Sequence, residues 1–316
     1  MSGGGDVVCI GTRGSALALW QANHVAEKIR RLPDSPPVEL VRIKTEGDRR
    51  IDIPLSAMEG RAFFTNEIET ALLDGRVDLA VHSLKDLATE MPAGLVLGAV
   101  LEREDARDVL LSRHGQPFES LPAGARIGTS SVRRRALLAR WRPDVDLMNL
   151  RGNVPTRIEK LAAGDFDAIV LAAAGVKRLG LETQVSAYLP PERVIPAVAQ
   201  GAIAVQVRSE DEAGRALVRP LDHPATHRAV VAERSLLRRL EGGCQVPIGA
   251  LASVAGDELE ISAVICSLDG RWSVEGRRED RAALAEEAGR SLAEELLARG
   301  GEEILTAVRI EAEQRA

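Results

Sequence analysis

Twice in this sequence a short apolar run hands over to small polar residues and then to a helix. Val7-Val8-Cys9-Ile10 is followed by Gly11-Thr12-Arg13-Gly14-Ser15. Ser15 stands where an N-cap is expected, and Ala18, Ala22, Val25 and Ile29 then share one helical face. Arg126-Ile127-Gly128 is followed by Thr129-Ser130-Ser131 and a helix that opens with Arg133-Arg134-Arg135. A strand that feeds a helix and then a second strand (here Val38–Thr45) begins a βαβ unit. Repeating it points to an α/β body with parallel strands.

A third run, Val77 to Val81, alternates apolar residues at period two, as a half-buried strand does. It ends in His82-Ser83-Leu84-Lys85-Asp86. In open α/β sheets, ligands sit beyond the carboxyl ends of strands. Other strand ends carry cationic or small polar residues: Arg13 and Ser15, Thr129 to Arg134, and Arg151 to Arg157. A turn that opens a helix binds anions through free N–H groups and the helix dipole, and an arginine there adds a bidentate fork. The pattern implies an anionic ligand with more than one charged group. No GxxxxGK[ST] cradle for phosphate is present, and many separate arginines fit several carboxylates better. Asp86 is then an acid among cations, suited to steering a proton or stabilising a cation on the substrate. The alternative is a solvated Lys85–Asp86 pair and a solvated arginine face. Cys244, after Gly242-Gly243, is a candidate covalent attachment point or a structural cysteine. Arg178 is ambiguous alone, because basic residues also favour helix C-termini.

The chain has 316 residues, enough for two or three domains. Aromatic residues make up only 3% of it, so the core must be built from Ala, Val, Leu and Ile. A net charge of −6 argues against nucleic-acid binding driven by bulk charge. Three scattered cysteines, Cys9, Cys244 and Cys266, fit a reducing compartment and offer no zinc spacing. No secretory signal and no membrane-length apolar run is visible, so a cytoplasmic protein is expected. Glu46–Phe64 reads as a long loop, Asn66 as a helix cap, and Ala202–Val207 as a strand that crosses back to the first lobe. Helices are expected over Ala225–Leu240 and Ala282–Arg299, with a hairpin of Ile261–Ser267 and Trp272–Glu275 between them.

Five motifs together resemble the porphobilinogen deaminase family: Gly11-Thr12-Arg13-Gly14-Ser15-Ala16-Leu17-Ala18, Val81-His82-Ser83-Leu84-Lys85-Asp86, Gly128-Thr129-Ser130-Ser131-Val132-Arg133-Arg134, Leu150-Arg151-Gly152-Asn153-Val154-Pro155-Thr156-Arg157 and Leu240-Glu241-Gly242-Gly243-Cys244-Gln245-Val246-Pro247. The resemblance implies an α/β fold with two lobes like those of periplasmic binding proteins, an active-site cleft between them, and a small C-terminal α+β domain. The expected boundaries are 1–101 with 202–219, 102–201, and 220–316. It implies condensation of four porphobilinogen molecules with loss of ammonia, then hydrolysis to hydroxymethylbilane. The implied cofactor is a dipyrromethane joined to Cys244 by a thioether, and no metal is expected.

By position, Asp86 becomes the catalytic acid. Lys85, Ser83, Thr129, Ser131, Arg133, Arg134 and Gly152 become cofactor-binding, with Gly152 donating its backbone N–H. Arg13, Ser15, Phe64, Arg151, Arg157 and Arg178 become substrate-binding. The expected partners are porphobilinogen and the growing polypyrrole chain, with no nucleic acid and no membrane, and the expected state is a monomer. The sequence departs from the family pattern at Glu46, Ala57, Arg61 and Ala88. Two other functions compete with this one, a carboxylate-binding protein without turnover and a nucleic-acid protein using Arg133 to Arg135.

Overall fold

The computed structural model describes residues 7–49, 65–240 and 246–315. In chain order the elements are β1 (Val8–Thr12), α1 (Ala16–Arg30), β2 (Val38–Arg42), α2 (Glu46–Arg49), α3 (Asn66–Leu73), β3 (Leu79–Ser83) and β4 (Leu95–Val100). Then come β5 (Asp108–Ser112), β6 (Arg126–Gly128), α4 (Val132–Trp141), β7 (Asp146–Met148), α5 (Val154–Ala163), β8 (Ala168–Ala172), α6 (Ala173–Arg178) and β9 (Ala187–Tyr188). The chain ends with β10 (Ile203–Arg208), α7 (Glu212–Val218), α8 (Pro224–Arg239), β11 (Ile248–Ala255), β12 (Glu258–Cys266), β13 (Ser273–Arg281), α9 (Ala285–Leu296) and α10 (Glu302–Arg315).

The chain divides into two compact units. Among the described residues, one joins 7–49 and 65–104 to Ala202–His227; the other holds Asp105–Gly201 and 228–315. The first unit is built on a sheet of order β2-β1-β3-β10-β4. Its β1, β2 and β3 are parallel, and β10 runs antiparallel to both neighbours. The second unit repeats this plan in the order β7-β6-β8-β5-β9, with β5 as the antiparallel strand. The repetition seen at Gly11–Ser15 and Gly128–Ser131 is therefore a repetition of whole sheets. The two lobe-like sheets of the resemblance are present, and Ala202–Val207 does cross back, as β10.

Period-two alternation sorts each strand between two layers. On β3, Leu79 and Val81 face α1 and pack with Ile10, Val25, Ile29 and Val205. Ala80 faces the other way, toward Ile68 and Leu72 of α3. In the second unit Ile127, Leu137, Leu138 and Val170 form one layer with Phe118, and Val109, Ile169 and Val176 form the opposite one. Burying each of these side chains contributes roughly 1.5–3 kcal/mol.

The C-terminal part of the second unit is an antiparallel sheet, β11-β12-β13. Its Val264 and Cys266 join the Phe118 layer. Helix α9 approaches α8 through Gly289, where a Cβ would lie 2.0 Å from the Ala232 carbonyl oxygen. Only a glycine permits that approach.

Several local expectations are corrected. Residues 46–49 form a short helix rather than loop, and Glu67 Oε1 accepts the Glu46 N–H at 2.6 Å. The remainder of the expected loop, including Phe64, lies outside the described residues. Thr65, not Asn66, precedes α3, and its hydroxyl goes to Glu69 rather than to a cap. Strand β11 was not expected, and β13 runs on to Arg281. The helix expected over Ala282–Arg299 is α9, interrupted at Gly300, where φ is 103°. Among the described residues no helix is long and apolar enough to cross a membrane.

Candidate functional site

In the first unit the turn after β1 and the end of β3 meet at a cavity of about 60 Å³ lined by Arg13, Ser15, Gln21, His82, Ser83 and Asp86, among others. Ser15 caps α1 by accepting the Ala18 N–H at 3.3 Å, which uses a lone pair and leaves its O–H to donate. Ser83 ends β3 and is paired with Gln21, whose Nε2 lies 2.8 Å from Ser83 Oγ. A single 3₁₀ turn, Leu84–Asp86, then carries Lys85 and Asp86. Its first N–H bonds the Ala202 carbonyl just before β10, so the antiparallel strand fixes the turn that presents Asp86. Asp86 is half-buried, a setting where a carboxylate meets both ligand and protein.

His82 is the residue at this cavity that the sequence reading named but gave no role. It is 5% exposed. Burial, with Arg13 close by, pushes its imidazole down to about 4 despite Gln206 beside it. At neutral pH it is therefore uncharged.

The second unit gathers arginines around one carboxylate. Asp108, at the start of β5, is fully buried. Its Oδ2 accepts Arg133 Nη2 at 2.7 Å, and its Oδ1 accepts Arg134 Nη2 at 2.8 Å and Gln200 Nε2 at 2.8 Å. Burial pushes the Asp108 carboxyl up, but Arg133, Arg134 and these hydrogen bonds outweigh it and hold the group well below the usual carboxylate range. Arg133 also donates to the Ile195 carbonyl and Arg134 to the Val170 carbonyl. These two arginines, expected to bind cofactor, are thus anchored within the protein, 4% and 6% exposed. Arg135 points elsewhere, donating to the Leu147 carbonyl.

Thr129 is fully buried, and Ser131 caps α4 by accepting the Arg134 N–H. Asn153 caps α5, with Pro155 in the first turn. Gly152 adopts φ +115°, and a Cβ there would lie 2.9 Å from the Thr156 side chain, so glycine is required. Its carbonyl accepts Arg157 Nε at 2.7 Å, a contact added to the N–H role expected of it. Burial first, then Arg134 and Arg151, push the Arg157 guanidinium down to about 10. Arg178 is buried at the end of α6 and donates to the carbonyl of Gly201, next to Gln200, at 2.6 Å. Cys244 lies outside the described residues.

The structure therefore brings together Arg13, Ser15, Ser83 and Asp86 in one unit, and Arg133, Arg134, Arg151 and Arg157 in the other. The sequence reading missed Gln21, Glu69, Asp108, Gln200 and Gln206. Their shared signal is a polar residue at a position that the apolar pattern assigns to the interior.

The chain is similar to known proteins along nearly its whole length. A family model described as porphobilinogen deaminase, dipyromethane cofactor binding domain, matches residues 8–216, and one described as porphobilinogen deaminase, C-terminal domain, matches residues 227–298. The curated porphobilinogen deaminase of Syntrophomonas wolfei is 51% identical over 300 residues, covering 95% of this chain and 98% of its own length. That of Geotalea uraniireducens is 50% identical over 299 residues, covering 95% and 94%. Among solved structures, the methionine binding protein MetQ aligns with 72% of this chain and 93% of its own, at 12% identity and a TM-score of 0.43. With both domain models matched in order and half the residues shared along nearly the whole length, the chain belongs to the porphobilinogen deaminase family.

Proposed function

We infer that Asp86 is the acid at the reacting centre, and that the arginine cluster holds the carboxylates of cofactor and substrate, in the hydroxymethylbilane synthase reaction of this family. That reaction joins four porphobilinogen molecules head to tail, releases ammonia at each addition, and ends with hydrolysis to hydroxymethylbilane. The observation that carries the reading is charge imbalance. Arg133 and Arg134 both pair with one buried carboxylate, Asp108, and Arg157 lies near two further cations, Arg134 and Arg151.

The same imbalance tests whether the residues fit a dipyrromethane, which carries acetate and propionate groups. Arg133 Nε is buried without a hydrogen-bond partner. Arg157 is held below its ordinary value by burial first, and further by its cationic neighbours Arg134 and Arg151. Carboxylates supply both the missing acceptor and the missing charge, so the group fits. Arg133, Arg134 and Arg157 would hold it, with Thr129, Ser131 and Gly152 shaping the same turns. When bound, the dipyrromethane supplies the pyrrole end to which substrate units are added.

The chain's own residues do the rest. Arg13 and Ser15 sit at the N-terminus of α1, where a substrate carboxylate gains a fork, a hydroxyl and the helix dipole. Asp86 faces the same cavity, where its negative charge favours the cationic state of a pyrrole losing ammonia over the neutral ring. Arg151 and Arg157 receive further carboxylates. The Gly201 carbonyl occupies Arg178 and supports a positioning role for it rather than direct substrate contact. The unbridged Cys9 and Cys266 support a reducing, cytoplasmic setting, and the enzyme is taken to act as a monomer.

The experiment that tests the cofactor assignment is intact mass. Parent protein is expected to carry a dipyrromethane adduct. Cys244→Ser should lack it, while Cys9→Ser and Cys266→Ser keep it. A normal adduct on Cys244→Ser overturns the attachment site.

Arg151→Ala should reduce substrate uptake by about ten- to a hundredfold, the size of one lost charge-assisted contact. Lysine should rescue it only in part, because it lacks the planar fork. Parent-like porphobilinogen turnover in Arg151→Ala would remove Arg151 from the site.

A further inference from the structure

Behind the Asp86 cavity, a row of buried polar side chains runs into the first unit's sheet. In the β3–β10 register, His82 lies opposite Ala204 and Ala80 opposite Gln206. His82 and Gln206 are therefore diagonal neighbours on one face, within side-chain reach. Helix α3 covers that face and adds Glu69. Thr65, Glu69, His82 and Gln206 are all at most 5% exposed.

The donors and acceptors of this row can be assigned in sequence. Glu69 is an acceptor; its Oε2 takes the Thr65 hydroxyl at 3.3 Å and its Oε1 takes Gln206 Nε2 at 2.9 Å. Gln206 Nε2 also lies 3.8 Å from Met91 Sδ. The Gln206 amide nitrogen is thereby fixed toward Glu69, and Gln206 Oε1 must find a donor elsewhere. Two buried atoms remain without a well-aligned partner, Gln206 Oε1 and His82 Nε2, on side chains that lie against each other. They satisfy one another only if Nε2 carries the imidazole proton. Burial, and Arg13 beside it, keep the ring from gaining a second proton. A neutral ring protonated at Nε2 has its lone pair at Nδ1, and this ring lines the cavity with Asp86.

We propose that Glu69 and Gln206 are positioning residues that lock His82 in its neutral Nε2–H form, so that Nδ1 offers a lone pair in the Asp86 cavity and accepts an N–H of bound porphobilinogen. The inference rests on the reading of that cavity as the reacting centre. It gives His82 the role of a fixed acceptor beside a fixed charge. An imidazolium would repel the developing cation. The opposite tautomer would present a donor to a substrate whose pyrrole nitrogen is itself a donor.

The test uses full-length, cofactor-loaded protein with nitrogen-15 histidine. Long-range proton–nitrogen spectra show which ring nitrogen bears hydrogen, and loss of a signal in His82→Asn assigns it. At neutral pH His82 is expected to be uncharged and protonated at Nε2. In Gln206→Met, similar in length but without an amide, the proton should redistribute toward Nδ1. The KM for porphobilinogen should then rise about tenfold, the scale of one hydrogen bond, with a smaller change in kcat. Glu69→Gln should give mixed tautomers, because an amide there can face Gln206 either way round.

A His82 protonated at Nδ1, or charged, in the parent protein overturns the proposal even if no variant folds. So does a redistributed tautomer in Gln206→Met with unchanged KM. Failure of the underlying site reading is separate: it shows as parent-like turnover in Asp86→Asn and leaves the tautomer result standing.

Discussion

Asp86→Asn is expected to fold, remain soluble and keep its cofactor, while losing at least about 10²-fold in turnover, the scale of a removed electrostatic stabiliser. The substitution preserves size and hydrogen-bonding reach and removes only the charge. Loss of ammonia from the aminomethyl group leaves the pyrrole electron-poor and cationic. A carboxylate at the end of β3 favours that state over the neutral ring, and only such differential stabilisation lowers the barrier. Asp86→Glu keeps the charge but displaces it by one methylene, so partial activity with accumulating enzyme-bound intermediates is expected. If Asp86 were a solvated partner of Lys85, the pair would be worth roughly 0–1 kcal/mol and Asn would be nearly neutral. Single-turnover rates on cofactor-loaded protein separate the two, and parent-like rates in Asp86→Asn would end the catalytic assignment.

The α/β lobes were legible because their signals are local. The Gly11–Ser15 and Gly128–Ser131 turns mark strand-to-helix junctions, and Ser15 and Ser131 do cap helices. What escaped was set by distant partners. Ile248–Ala255 contains three alanines and no sustained alternation, and becomes β11 only by pairing along its whole length with β12. Beyond Glu275 the sequence Gly276-Arg277-Arg278-Glu279-Asp280-Arg281 looks too charged for a strand. It forms the edge strand β13, where one face is solvated and Arg277 pairs with Glu260 on β12. Asn66 lost its expected place to Thr65, and capping chemistry alone does not reveal that Glu69 takes the Thr65 hydroxyl away from the helix end.

The site shows the same division. Asp86 and the arginines could be named from strand ends and family resemblance, but their roles in the structure depend on buried partners far away in sequence. Arg133 and Arg134 were expected to bind cofactor, and nothing nearby in sequence told which other groups they meet. Asp108, before the apolar run Val109–Leu111, pairs with both, and Gln200 closes the group from nearly a hundred residues later. A lone acid preceding a buried strand was the available signal, and its meaning depends on partners distant in sequence.

Asp108→Asn is accordingly expected to be among the most destabilising single changes in the second unit, by roughly 3–5 kcal/mol, because it leaves two buried guanidinium groups without their counter-charge. The loss is one of charge rather than shape, since Asn can still accept some of the same hydrogen bonds. The pH dependence gives an independent check. Asp108 is held below its unfolded value, which is about 3.9. Its contribution is therefore fully present above about pH 4 and is lost as the pH falls through the folded value. Urea unfolding should show a large gap between parent and Asp108→Asn at neutral pH, with similar m-values, and that gap should narrow on acidification below about pH 4. Cofactor carboxylates should stabilise the variant more than the parent, because Arg133 and Arg134 have lost the Asp108 charge. A gap below about 1 kcal/mol at neutral pH would mean that the guanidinium groups find compensation elsewhere, and the charge imbalance that supports the carboxylate-binding assignment would fall with it.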